Sequence, residues 1–217
     1  MRQFLVVGLG RFGTSLAKTL YNLGYDVMGI DSNEEIIQNI ADSITHAVQA
    51  DATDENTLKA LGVRNFDVAI VSIGNDIQSS ILITIMLKEM GIKYVVAKAQ
   101  SQLHGKVLYK IGADRVVFPE RDMGVRVAHN LVSSNILDYI ELSPEYSIVE
   151  IAAIPAWHNK SLGQLDMRRK YGLNVMAIKR GNNDVKISPH ADDLISENDV
   201  LVVVGRKSDI EKLERHI

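Results

Sequence analysis

The stretch Phe4-Leu-Val-Val-Gly-Leu-Gly-Arg-Phe-Gly-Thr-Ser-Leu-Ala-Lys-Thr-Leu20 decides the fold. An apolar run, residues 3–7, precedes Gly8-Leu9-Gly10-Arg11-Phe12-Gly13. Leu16, Leu20 and Leu23 then recur at helical spacing. This is a strand, a glycine turn and a helix, the opening of a βαβ nucleotide-binding unit. Gly8 permits the tight turn, Gly10 lets the backbone approach a pyrophosphate, and Gly13 lets the helix pack on the strand. The helix start offers free N–H groups and a positive dipole end to a phosphate. Residues 25–30 return as a strand that ends at Asp31, where an acid hydrogen-bonds ribose hydroxyls. Strand, turn, helix and acid together make a specific signal. The arginine inside the phosphate loop is unusual and asks for a role.

The alternation continues outward. Residues 46–50 read as a strand, 54–61 as a helix and 67–73 as a buried strand. A helix over 77–90, a strand over 94–98, a helix around 102–111 and a strand over 115–118 follow. Strands alternating with helices imply an α/β fold: a Rossmann-like, doubly wound parallel sheet of order 3-2-1-4-5-6. After Pro119 the pattern changes to a longer helix over 122–137, with Val125, Ala128, Leu131 and Val132 on one side. Ser143-Pro144 is a break signal, which places the domain boundary near 140: 1–140 as the nucleotide-binding domain and 141–217 as a small α+β domain. The latter should contain strands at 147–153 and 173–179, a short helix around 161–170, a strand pair at 185–188 and 200–204 joined to its sheet through a turn at 181–184, and a last helix at 207–216. In the helix over 77–90, Ile81, Leu82, Ile83, Ile85, Met86 and Leu87 point in nearly every direction. Such a helix needs cover on more than one side. Deep burial in one domain would supply it, but a dimer surface accounts better for an outer helix of a doubly wound fold.

Composition limits the functions. The 217 residues are 46% hydrophobic, enough for an ordinary core. A net charge of −3 argues against a broad nucleic-acid surface and against a DNA-binding regulator with a basic recognition helix. With no cysteine, disulfides, thiolate metal sites and cysteine nucleophiles are excluded. The early glycines do not suit a signal peptide, and no apolar run is long enough to span a bilayer. The expectation is a soluble, cytoplasmic protein with no direct membrane insertion, whose membrane role comes through a partner.

Candidate ligand contacts collect where open α/β sheets bind ligands, at the carboxyl ends of strands. They are Asp31 and Ser32, then Asp51, Ala52 and Thr53, then Ser72, Ile73, Gly74 and Asn75, then Lys98 and finally Glu120. Phe12 accompanies Arg11 in the loop. Individually these have other readings: Asp51 and Thr53 as a helix start, Lys98 as a solvated cation, Glu120 as a partner of Arg121. Their common edge strengthens the group. Tyr94-Val-Val-Ala-Lys98 matches the letters of a dehydrogenase Tyr-x-x-x-Lys pair, but that chemistry needs a helix, which brings i and i+4 within about 6 Å. Here the residues favour a strand, in which four residues span about 13 Å. The six histidines lack metal-ligand spacing, and neither a P-loop nor a nucleophile elbow occurs. The chain therefore reads as a protein that binds a nucleotide without transforming it much, with slow hydrolysis left open. An NAD-dependent oxidoreductase is the alternative, and Asp31 would favour NAD over NADP.

The stretches VVGLGRFG, GIDSNEE, THAVQADATDENTLKALGVRNFDVAIVSIGNDIQSS, VVAKAQ and KIGADRVVFPERDMG together resemble the RCK domain, the regulator of potassium conductance, of the KtrA/TrkA family. SPEYSIVEIAAI, RRKYGLNVMAIKR and DVLVVVGRKSDIEKL are similar to the C-terminal domain of that family, so the resemblance covers essentially the whole chain. It implies ATP or ADP, and also NAD(H), in the Gly8–Gly13 site, with Arg11 reaching a γ-phosphate of the neighbouring subunit. It implies that Glu120 binds Mg²⁺ or Ca²⁺ at a dimer interface, and that Arg168 and Asn174 contact cyclic di-AMP. Arg169, next to Arg168, leaves that assignment open, as does a solvated role for both arginines. The resemblance further implies homodimers assembled into an octameric ring, with the helix at 122–137 coupling the lobes. A KtrB-like membrane potassium channel subunit would be the partner, gated by the nucleotide.

Overall fold

The computed structural model describes residues 2–132, 135–181 and 184–214. The chain divides into two compact units, Met1–Pro119 and Glu120–Ile217.

In the first unit, strands and helices alternate: β1 (Gln3–Val7), α1 (Arg11–Asn22), β2 (Asp26–Asp31), α2 (Glu34–Ile40), β3 (His46–Gln49), α3 (Glu55–Ala60), β4 (Val68–Val71), α4 (Ile77–Glu89), β5 (Tyr94–Lys98), α5 (Gln102–Lys110) and β6 (Arg115–Val117). All six strands are parallel, in the order β3-β2-β1-β4-β5-β6, as the alternation requires. Side chains along β1 alternate between two cores. Leu5 and Val7 join the core under α3, α4 and α5, with Leu58, Ile83, Leu87 and Leu108. Val6 joins the core under α1 and α2, with Ala17 and Ile40. Beyond α1, this second face opens into a groove of about 800 Å³ floored by Val68, Ile70, Val96 and Val117, with Phe12, Leu16 and Leu20 as one wall.

Helix starts follow local chemistry. Asn33, Asp54, Asp76 and Ser101 each accept a hydrogen bond from a backbone N–H in the first turn of α2, α3, α4 and α5. Helix α1 differs: Gly10 occupies its cap position and no side chain accepts from its first turn. Helix α4 buries Ile83, Met86 and Leu87 yet leaves Ile77 and Leu82 about 40% exposed. An apolar surface thus remains on it within one chain.

The second unit contains α6 (Pro119–Val132), β7 (Ile136–Glu141), β8 (Tyr146–Ala152), α7 (Leu162–Leu165), α8 (Met167–Tyr171), β9 (Asn174–Arg180), β10 (Asp184–Ile187), β11 (Asp199–Arg206) and α9 (Lys207–Glu214). Its five strands form an antiparallel sheet of order β10-β9-β11-β8-β7. One face packs on a core of Trp157, Leu165, Leu173, Ile178, Leu201, Val203 and Ile210.

Three details differ from the sequence reading. The helix expected over 122–137 runs over Pro119–Val132 instead, and Ile136–Glu141 form strand β7, which pairs with β8 through Ile140 and Ile148. Short apolar runs fit helix and strand alike, and tertiary pairing decides between them. The Ser143-Pro144 break is the turn of the β7–β8 hairpin, where Ser143 Oγ accepts from Glu145 N–H (3.3 Å) and Tyr146 N–H (3.1 Å). It lies inside the second unit, and the division between units comes at 119–120 instead of near 140. The helix expected around 161–170 is two short helices, because Asp166 adopts φ 44°, a left-handed conformation that ends the first of them. Of the expected turn at 181–184, Asn182 and Asn183 lie outside the described residues, but Arg180 and Asp184 pair across β9 and β10.

Candidate functional site

The sheet order reverses between β1 and β4, which makes a crevice at their carboxyl ends. Gly8, at φ 88°, turns the chain out of β1; a Cβ there would lie 3.1 Å from Ile73 Cγ1. Gly13 brings α1 against the strands. A Cβ on it would fall 2.0 Å from the Gly8 carbonyl oxygen and 2.4 Å from Ser72 Oγ. At Gly10 a Cβ would meet no atom within 4 Å, so the backbone there is open to an incoming group. Arg11, the first residue of α1, is exposed and makes no ion pair among the described residues.

The flanking strands fix the loop. Asp31 Oδ2 accepts from Leu9 N–H at 2.7 Å, and Asp31 Oδ1 accepts from Asn33 N–H at 2.9 Å. Ser72, buried at the end of β4, donates its hydroxyl to the carbonyl oxygen of Gly8. This serine is a pin beneath the loop, a role that no local pattern of residues reveals. Asp51 Oδ1 accepts from both the N–H (2.8 Å) and the hydroxyl (2.6 Å) of Thr53. The Thr53 hydroxyl holds the Asp51 carboxyl below its ordinary range. Ala52 is buried between them. Gly74 faces the Lys98 ammonium, which would lie 3.2 Å from a Cβ on Gly74.

These contacts join most of the residues singled out in the sequence into one edge: Asp51 and Thr53, Asp31 and Ser32, the Gly8–Gly13 loop, Ser72 to Asn75, and Lys98. Ser32 and Asn75 are exposed on this edge. Phe12 turns its side chain to the apolar groove beside α1. Three residues belong to the second unit. Glu120 is exposed in the first turn of α6. Arg168 on α8 and Asn174 at the start of β9 are exposed on either side of Gly172, whose N–H donates to the Arg168 carbonyl. Among the described residues no group of three His, Asp or Glu side chains could hold a metal ion, so Glu120 by itself offers an incomplete donor set. Tyr94 and Lys98 stand at opposite ends of β5, too far apart to act as a catalytic pair. No helix among the described residues is long and apolar enough to cross a membrane.

Residues 4–119 match the TrkA-N domain and residues 146–217 the TrkA-C domain. The chain belongs to the RCK family, of the KtrA/TrkA type. The RCK sequences most similar to it include Ktr system potassium uptake protein C of Bacillus subtilis (strain 168), 50% identical over 216 residues, spanning 100% of this chain and 97% of that one. Ktr system potassium uptake protein A of Vibrio alginolyticus is 35% identical over 204 residues, 94% of this chain and 92% of that one. Among solved structures, the GsuK RCK domain superposes at a TM-score of 0.69 with 20% identity, over 99% of this chain and 47% of that one. The GsuK channel bound to NAD follows at 0.67 with 18% identity, over 98% and 39%. At these identities the structural matches establish the RCK fold, and this chain spans less than half the length of either protein.

Proposed function

We propose that this RCK protein is a nucleotide-sensing regulatory subunit that gates a membrane potassium channel or transporter subunit and catalyses no reaction of its own. One observation carries the reading: among α1 to α5, α1 alone has no side-chain cap, and its open N-terminus sits at the switch point of the sheet beside Asp31. Four uncapped N–H groups and a positive dipole end suit an anion, and Asp31 suits ribose hydroxyls. ATP and ADP fit both features, as does NAD(H), the ligand that names one GsuK structure. The names of the Bacillus and Vibrio relatives supply the potassium-uptake setting.

Arg11 stands one residue beyond the open Gly10. A guanidinium offers a planar fork of donors to phosphate oxygens. Across a dimer interface it would report whether a third phosphate is present. Glu120 would share a Mg²⁺ or Ca²⁺ ion with ligand oxygens or a second copy, since one carboxylate cannot complete either coordination shell. The exposed apolar residues of α4, Ile77 and Leu82, support assembly of homodimers into a ring, an octamer on the family resemblance. Cyclic di-AMP is assigned to the second unit through Arg168 and Asn174 on the same resemblance. The protein would then lie in the cytoplasm against the membrane, held there by its KtrB-like partner.

Gating needs ligands that prefer different states, because an effector shifts an equilibrium only by its differential affinity. Moving a population from 1:99 to 99:1 takes about 5.5 kcal/mol, which repeated sites in a ring can sum from modest increments. Calorimetry of the purified chain against ATP, ADP, NADH and cyclic di-AMP, with and without Mg²⁺, tests the reading. Saturable adenine-nucleotide binding that Arg11→Ala weakens for ATP more than for ADP is the expected result. Absence of binding by every nucleotide would sink it.

A further inference from the structure

The phosphate loop and the ribose-binding acid are not separate features in this molecule. Leu9 is held at three points. Its N–H donates to Asp31 Oδ2 at 2.7 Å, and its carbonyl accepts the Thr14 hydroxyl at 2.6 Å. Its side chain is buried against Gly29 of β2, where an added Cβ would come within 2.9 Å of Leu9 Cδ1. Gly10 and Arg11 follow directly, both exposed. On its other oxygen Asp31 accepts from Asn33 N–H, and Asn33 caps α2 through Glu35 N–H at 2.9 Å. One carboxylate thus ties the loop that carries Arg11 to the turn that leads into α2.

Building on the nucleotide reading above, we propose that Asp31 is the positioning residue through which ribose binding in one subunit sets the loop that carries Arg11, so that this ribose contact and the phosphate contact that Arg11 makes across the dimer interface are coupled. Each carboxylate oxygen accepts more than one hydrogen bond, so a ribose hydroxyl adds to the backbone donors already present instead of displacing them. A second donor on Oδ2 shares its electron density and turns the carboxylate toward the ribose. The Leu9 N–H follows that oxygen. Because the Leu9 side chain rests on Gly29 and its carbonyl is tied to Thr14 of α1, the movement is carried into the start of that helix, through Gly10, where no neighbour lies within 4 Å of the Cβ position, to Arg11. Without the ribose contact, Arg11 meets the terminal phosphate from an unadjusted loop.

If instead ribose and phosphates were read independently, their contributions would add, and removing one would leave discrimination by the other intact. Calorimetry of the full chain therefore measures the ratio of the ADP and ATP dissociation constants twice, once with the ordinary nucleotides and once with their 2′,3′-dideoxy forms. The expected result is weaker binding of both dideoxy nucleotides and a ratio that moves toward one by roughly threefold or more, the range of coupled contacts. Asp31→Asn should compress the ratio with the ordinary nucleotides, while Arg11→Ala should make it insensitive to the ribose hydroxyls. Should Asp31→Asn fail to fold by circular dichroism, the dideoxy comparison on the wild-type chain decides alone. A wild-type ratio that survives removal of the hydroxyls, or that is already one, overturns the proposal while leaving nucleotide binding standing. A wild-type chain that binds neither nucleotide overturns both.

Discussion

Two glycines three residues apart should fail in opposite ways when each becomes alanine. At Gly13 the new Cβ would sit 2.0 Å from the Gly8 carbonyl oxygen and 2.4 Å from Ser72 Oγ. Neither atom can yield easily: the first is backbone, and the second belongs to a buried side chain hydrogen-bonded to that same carbonyl. Helix α1 must move by about 1 Å or more, and overpacking of this kind costs about 1–3 kcal/mol. That corresponds to a fall in melting temperature of roughly 2–12 °C. At Gly10 the Cβ would enter open space, and φ −63° with ψ −173° suits any residue. A small loss of cap preference is offset by lower unfolded-chain entropy, so stability should stay within about 0.5 kcal/mol. The same methyl would stand where a phosphate approaches the backbone, and ADP affinity should fall about tenfold or more, ~1.4 kcal/mol. Thermal unfolding and ADP calorimetry on both variants separate the effects. A Gly10→Ala chain that binds ADP like the wild type, or that loses several degrees of stability, refutes the assignment of this loop.

His104 is buried, with Nδ1 accepting from Gln100 N–H and Nε2 lacking a hydrogen-bond partner; burial lowers its pKa from 6.5. The unfolded chain therefore takes up this proton first, so the contribution of His104 is complete above about pH 6.5 and is lost as pH falls toward the folded value. His104→Gln should flatten the melting temperature between pH 7.5 and 5.5 relative to the wild type; an unchanged slope would exclude this histidine as its source. Trp157→Ala should destabilise the second unit by about 3–5 kcal/mol, since the ring is fully buried beside Tyr171, and urea unfolding followed by circular dichroism measures it. Leu82→Asp, on the exposed side of α4, should leave the melting temperature nearly unchanged but lower the solution mass measured by light scattering; an unaltered mass would remove α4 from the assembly surface.

Much of the first unit is legible in its residues because its code is local. Apolar runs of four to six residues, cap residues before each helix from α2 to α5 and glycines at fixed offsets all act within one turn or strand. The βαβ connection then leaves few arrangements for the sheet. In the second unit the same local signals are weaker. Ile136–Glu141 carries an apolar pattern short enough for helix or strand, and only pairing with β8 settled it. Ser143-Pro144 marks a chain reversal in either case, but whether it lies between domains or inside one depends on what the residues on both sides pack against. In the site, the letters pointed to Asp31 as a ribose acid and to Ser72 as a ligand contact. The structure adds a hold on Leu9 for the first and a pin under Gly8 for the second.

The sequence by itself determined the parallel α/β sheet, the phosphate-loop signature and the acid that closes β2, because each depends on residues near one another along the chain. The tertiary structure alone decided that β7 joins the second sheet, that α1 is left uncapped among capped helices, and that Asp31 reaches across 22 residues to grip the loop. Such contacts are made by atoms distant in sequence, and their geometry exists only once the two cores of the first unit have closed around β1.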